Sequence, residues 1–255
     1  MISLVANKVT RLTNLVGNIM INRIIMTLLL LTAINTSQAI AGIVITGTRV
    51  IYPSDKNFVS VELTNVGNEP ALVQSWIDTQ DVIADPNTTT APFIITPPIS
   101  RIETAKGQSL RILFNNNQKL ASDRETLFWL NILDIPAAPK DQTNYLQFAV
   151  RNRIKLFYRP HDLNMSFDQS LQKLDVKILD KNTLLISNDS PYYMNFSKSY
   201  LINLNNSSKE IPNLLFIEPF SDLKLNIDSL NEMKSAKLSI INDFGSILNI
   251  EKSLN

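Results

Sequence analysis

Leu146-Gln147-Phe148-Ala149-Val150-Arg151-Asn152-Arg153-Ile154-Lys155-Leu156-Phe157-Tyr158-Arg159-Pro160 is the longest strand-like run in the chain. Leu146, Phe148 and Val150 alternate with Gln147, Ala149 and Arg151, the period of a half-buried β-strand. Proline has no amide hydrogen to give to a ladder, so Pro160 marks the strand's end and a natural boundary between domains. On this reading a first domain covers residues 42–160 and a second covers 161–255.

The same alternation recurs on both sides of this run: Val59, Val61, Leu63 before it, and Leu174, Val176, Ile178 and Leu223, Leu225, Ile227 after it. Turn-forming clusters separate the runs, as in Asn65-Val66-Gly67-Asn68-Glu69-Pro70, Asp85-Pro86-Asn87 and Asn188-Asp189-Ser190-Pro191. Leu127-Phe128-Trp129-Leu130-Asn131-Ile132-Leu133 is apolar in both phases and reads as a strand buried on both faces. No long amphipathic helix interrupts the pattern, so an all-β sandwich fits better than alternating β and α units, which need helical crossovers. The chain is therefore expected to be all-β, as two sandwiches each near the roughly 100 residues of an immunoglobulin-like domain.

Ile24 to Ile34 form an apolar segment preceded by Arg23 and followed by Ala39-Ile40-Ala41, the layout of a secretory signal. Cleavage is expected after Ala41, with Ser37-x-Ala39 the weaker alternative, and Met20 would open a signal of more ordinary length. Eleven residues are about half of the roughly 20 that a membrane-spanning helix needs, and no later run is longer. The mature chain is thus expected to be exported, without an integral membrane segment. Residues 1–41 hold Lys8, Arg11 and Arg23 and no acid, so the formal charge of +1 falls to about −2 without them. Such a balance does not suit a binder of nucleic-acid phosphates.

Candidate chemistry is sparse. With no cysteine and one histidine, His161, a zinc site or thiol catalysis within one chain is excluded, and no metal or cofactor is expected. Gly42-x4-Gly47-Thr48-Arg49 has the glycine spacing of a phosphate loop, but Thr48-Arg49 replaces Lys-Ser/Thr and a strand follows. Neither G-x-S-x-G nor H-E-x-x-H occurs. No enzymatic activity is expected. Asn195 and Asn206 open N-x-S/T triplets, which matter only in a glycosylating host.

Eight strings then occur in a telling order: Gly47-Thr48-Arg49-Val50-Ile51-Tyr52-Pro53, Gln74-Ser75-Trp76, Phe93-Ile94-Ile95-Thr96-Pro97-Pro98, Leu110-Arg111-Ile112-Leu113, Asp123 to Asn131, Ile135-Pro136, Arg153 to Pro160 and Ile241-Asn242-Asp243-Phe244-Gly245. Together they resemble the periplasmic chaperones of chaperone/usher pili. The last string departs from the family's N-D-Y-G by Phe244.

The resemblance implies two immunoglobulin-like domains set at an angle, boomerang-like. Its implied function is to fold and cap pilus subunits by donor-strand complementation and deliver them to an outer-membrane usher. Leu146, Phe148 and Val150 would be the groove-filling residues; without the resemblance, an alternating apolar face reads as ordinary core. Arg49 and Lys155 would anchor the subunit's terminal carboxylate; without it, they read as solvated surface cations. Val150 and Lys155 differ in strand phase, so a bulge or strong twist near Asn152 is expected to bring them to one partner. Glu125, Arg159 and Asp243 would link the two domains, and Pro97 would follow a cis peptide bond. The short connection Ala137 to Asn144, without cysteines, resembles that of chaperones serving rod-like pili. An exposed donor strand also leaves a self-capping homodimer open to this chain. The competing reading is a tandem immunoglobulin-like adhesin or structural module.

Overall fold

The computed structural model describes residues 20–23, 26, 42–79, 86, 88–115, 118–138 and 144–254. The expected cleavage site, the Asp85-Pro86-Asn87 turn apart from Pro86, and most of the connection between Ala138 and Asn144 lie outside the described residues.

The first half of the described chain contains β1 (Ile43–Ile45), β2 (Arg49–Pro53), β3 (Val59–Asn65), β4 (Ala71–Asp78), β5 (Phe93–Thr96), β6 (Ile99–Ile102), β7 (Gly107–Phe114), β8 (Thr126–Pro136) and β9 (Val150–Arg159). They form two sheets, ordered β1-β3-β7-β5 and β2-β9-β8-β4-β6. Alternate residues of each sheet meet in one core, which includes Leu63, Leu110, Ile112, Leu130, Ile132 and Leu156. The Thr96–Pro97 peptide bond, between β5 and β6, is cis.

The second half opens with one helical turn, α1 (Phe167–Ser170), capped reciprocally by Ser166 and Gln169. There follow β10 (Leu174–Asp180), β11 (Thr183–Asn188), β12 (Met194–Asn195), β13 (Tyr200–Asn203), β14 (Ser208–Glu210), β15 (Phe216–Ile217), β16 (Ser221–Asn226), β17 (Met233–Ile241) and β18 (Ile247–Ser253). Sheets β10-β11-β16 and β14-β13-β17-β18, with the short pair β12-β15, enclose a separate core around Leu184, Ile186, Met194, Leu201, Leu238 and Ile240. The architecture is thus two all-β sandwiches, each with its own apolar interior.

A third, smaller cluster joins them: Leu127 and Phe157 from the first pack against Tyr193 from the second, flanked by Ile51, Trp129 and Phe216. Strand β9 feeds both interiors. Leu156 points into the first core and Phe157, on the other face, into the joining cluster.

Two sequence expectations need correction. The long strand starts at Val150 rather than Leu146, because its last pairing with β8 is Val150 to Asp134 and residues 145–149 are outside any ladder. Nor is there a bulge near Asn152: β8 and β9 pair without a register shift from Thr126↔Tyr158 to Asp134↔Val150. Val150 and Lys155 lie on opposite faces of a regular strand, Val150 in phase with Leu156 and Lys155 in phase with Phe157.

Candidate functional site

Strand β9 has two neighbours along only half its length. From Lys155 to Tyr158 it lies between β8 and β2, the latter parallel and in the register Arg49↔Lys155 to Pro53↔Arg159. From Val150 to Ile154 it pairs with β8 alone, so its other edge offers unpaired backbone groups. Val150, the first residue of β9, and Leu146 and Phe148 just before it are 53%, 78% and 68% exposed. Large apolar side chains on a free edge form the kind of patch that another chain covers.

The foot of this open edge is cationic. Register places Arg49 beside Lys155, and the two repel, so the proximity of Arg49 adds to burial in lowering the Lys155 pKa to about 8. Burial likewise lowers the pKa of Arg49. Lys155 Nζ donates to Asn195 Oδ1 and sits 4.3 Å from the centre of the Phe216 ring. Arg49 Nη1 donates to the Ile241 carbonyl at 3.1 Å, whereas its buried Nε has no hydrogen-bond partner. Among the described residues no carboxylate lies within 4 Å of either cation. Two partly desolvated positive charges with an unused donor favour an anion, and a carboxylate can accept from both.

Four residues beyond Lys155, Arg159 has the opposite environment. Its Nε donates to Glu125 Oε1 at 2.8 Å, and its two terminal nitrogens donate to Asp243 Oδ2 and Oδ1 at 2.7 and 2.8 Å. Burial opposes its charge, but the hydrogen bonds and the two carboxylates outweigh it and raise its pKa. Glu125 shares this guanidinium with Asp243; burial dominates and pushes its pKa up to about 6. Its Oε2 accepts from the Tyr193 amide at 2.8 Å, and its own amide donates to the Pro191 carbonyl. The three charged residues thus join β9, the start of β8 and the turn after β17. Gly245 closes that turn at φ +81°, where a Cβ would approach Thr48 Oγ1 to 2.9 Å.

Sequence reasoning missed Asn195 and Phe216, which contact Lys155, and Tyr193, which with Phe216 belongs to the joining cluster. Asn195 drew attention only as a glycosylation triplet, yet it is buried. His161 stays at the surface beside Asp162 and is remote from both cationic groups in its contacts.

The chain matches two family descriptions. Residues 42–164 match "Pili and flagellar-assembly chaperone, PapD N-terminal domain", and residues 169–252 match "Pili assembly chaperone PapD, C-terminal domain". The chain belongs to the PapD-like pilus-assembly chaperones. It is 42% identical over 226 residues to the probable fimbrial chaperone YadV of Escherichia coli K12, covering 84% of this chain and 90% of that one. The chaperone protein HifB of Haemophilus influenzae is 39% identical over 225 residues, with 86% and 91% covered. The crystal structure of YadV superposes with a TM-score of 0.72 over 84% of this chaperone and all of that chain. The SafB chaperone of Salmonella enterica, solved in complex with the SafA pilin, is 26% identical with a TM-score of 0.70, covering 85% of this chaperone and 97% of that chain. Among the described residues no helix is long and apolar enough to cross a membrane.

Proposed function

We propose that this chaperone acts in the periplasm, holding a pilus subunit by adding a strand to it, then delivering it to an outer-membrane usher. The observation that carries the reading is the half-open strand β9, with exposed Leu146, Phe148 and Val150 at and just before its free edge and two neighbouring, partly buried cations, Arg49 and Lys155, at its foot. Strand addition at an open edge is an established recognition mode, with chaperone–pilin pairing among its known examples.

The direction of the added strand follows from β2. A chain whose terminal carboxylate rests on Arg49 and Lys155 must occupy the track ahead of β2, and so runs parallel to β9. Its backbone completes the ladder along Val150 to Ile154, while Leu146, Phe148 and Val150 fill the subunit's apolar groove. Burying each of these side chains contributes about 1.5–3 kcal/mol before ordering costs. Anchoring the carboxylate fixes register, and a slip of one residue turns every side chain to the wrong face. Glu125, Arg159 and Asp243 serve as architecture, holding the domains 42–160 and 161–255 so that Arg49, Lys155 and Asn195 converge. Residues 1–41 act as the export signal. No catalytic step is required, since a competing strand from another subunit suffices for release. The same open edge also leaves a self-capping homodimer open to this chain.

The test is recovery of a co-expressed fimbrial subunit with the purified chaperone. Lys155→Ala is expected to abolish recovery while leaving the chaperone folded by circular dichroism; undiminished recovery would overturn the anchoring role.

A further inference from the structure

Asp134 stands near the end of β8, in phase with Leu130 and Ile132, so its side chain enters the first sandwich instead of facing solvent. It is 8% exposed. One carboxylate oxygen, Oδ2, accepts from the Ile43 amide at 3.1 Å, whereas the other, Oδ1, is buried without a hydrogen-bond partner. Its register partners, Val73 on β4 and Val150 on β9, have no side-chain donor to offer. Among the described residues no cation lies within 4 Å of this carboxylate. A buried carboxylate so placed is costly unless a positive charge meets it.

We propose that the partner of Asp134 is the α-ammonium group of Gly42, created when the export signal is removed after Ala41. This rests on the export reading of residues 1–41 and assigns a structural site to the product of processing. Hydrolysis of the Ala41–Gly42 peptide bond consumes one water and leaves a carboxylate on Ala41 and an amine on Gly42. The amine takes up a proton below its usual pKa of about 8. Gly42 packs directly against the carboxylate: a Cβ there would stand 2.1 Å from Asp134 Oδ2 and 3.2 Å from its carboxyl carbon. The peptide plane that follows is held on both sides, because the Gly42 carbonyl accepts from the Val66 amide at 3.0 Å and the Ile43 amide donates to Asp134. Once the Gly42 nitrogen is terminal, rotation about the Cα–C bond carries it towards the place that a Cβ would take. A turn that stops short of that place leaves the nitrogen about 2.8 Å from the carboxylate, the length of a charge-assisted hydrogen bond. The pair ties the start of β1, in one sheet, to the end of β8, in the other, beside Val150 where the donor edge begins. A chain that keeps its signal lacks this tie, so the first sandwich reaches full stability only after export.

Two chains are prepared by cutting off a tag, one beginning at Gly42 and the other at Ala41, and are unfolded in urea at pH 6.5. The unfolding equilibrium constant of the Gly42 chain is expected to be about tenfold smaller, and this gap should vanish when both carry Asp134→Asn. Equal stability of the two wild-type chains, or a gap that survives Asp134→Asn, would overturn the pairing. A second measurement stands even if Asp134→Asn fails to fold: the Gly42 amine of the native chain should be acylated by a succinimidyl ester about tenfold more slowly than in urea. Equal rates would also overturn the pairing. The mass of the exported protein's N-terminal peptide separates the two layers of argument. A start other than Gly42 sinks the cleavage reading and this inference with it, whereas a Gly42 start without a stability gap sinks this inference alone.

Discussion

Lys155 and Arg159 occupy the same face of one strand, an even number of residues apart, yet Arg159 is a closed electrostatic unit and Lys155 an open one. Arg159 is surrounded by two carboxylates and its charge is held more firmly than in water. Lys155 faces a second cation, an amide oxygen and an aromatic ring, and its charge is held less firmly. A closed network stabilises the chain that contains it. An open one costs stability until something arrives from outside, which is the usual mark of a binding site.

Stability measurements break or sharpen this contrast most strongly. Arg159→Ala leaves Glu125 buried without its cation, and is expected to cost about 3–5 kcal/mol in urea unfolding. Lys155→Met puts an apolar chain between Trp129 and Phe216 and removes an unpaired charge, so the same measurement should show an unchanged or higher midpoint. Equal losses in the two variants would erase the distinction between architecture and binding site.

A smaller effect is expected with pH. Lys155 loses its proton at about 8 in the free chaperone, and a bound carboxylate favours the protonated form. Subunit affinity should therefore be level below pH 8 and fall above it, by up to tenfold per pH unit until the raised pKa of the complex is reached. Isothermal titration between pH 6.5 and 9.5 checks this, and an affinity that rises above pH 8 would contradict the sign.

Much of this contrast could be read from the chain, and what could not has a physical reason. The alternation at Val59, Leu174 and Leu223 identifies strands because the pleat turns every second side chain inward, and that information is local. The pairing of Arg49 with Lys155 joins residues 106 positions apart, and only the resemblance to a family brought them together. Asn195 and Phe216 come from a second domain and leave no local signal of a role beside Lys155. The bulge expected near Asn152 arose from assuming that one partner must be met by one face. The strand instead uses both: the phase of Leu156 reaches the exposed Val150 at its start, and the phase of Phe157 carries Lys155 and the arginines. The strand's early start failed for a different reason, since alternation reports which side chains can share a face, not where a neighbouring backbone ends.

Amide hydrogen exchange along Val150 to Ile154 tests the central claim most directly, because it reads the backbone edge itself. In the free chaperone, the amides that point away from β8 should exchange quickly, and binding of a subunit with an intact C-terminus should slow them by at least a hundredfold, about 2.7 kcal/mol of protection. A subunit that binds while those amides go on exchanging at the free rate would contradict strand addition at this edge.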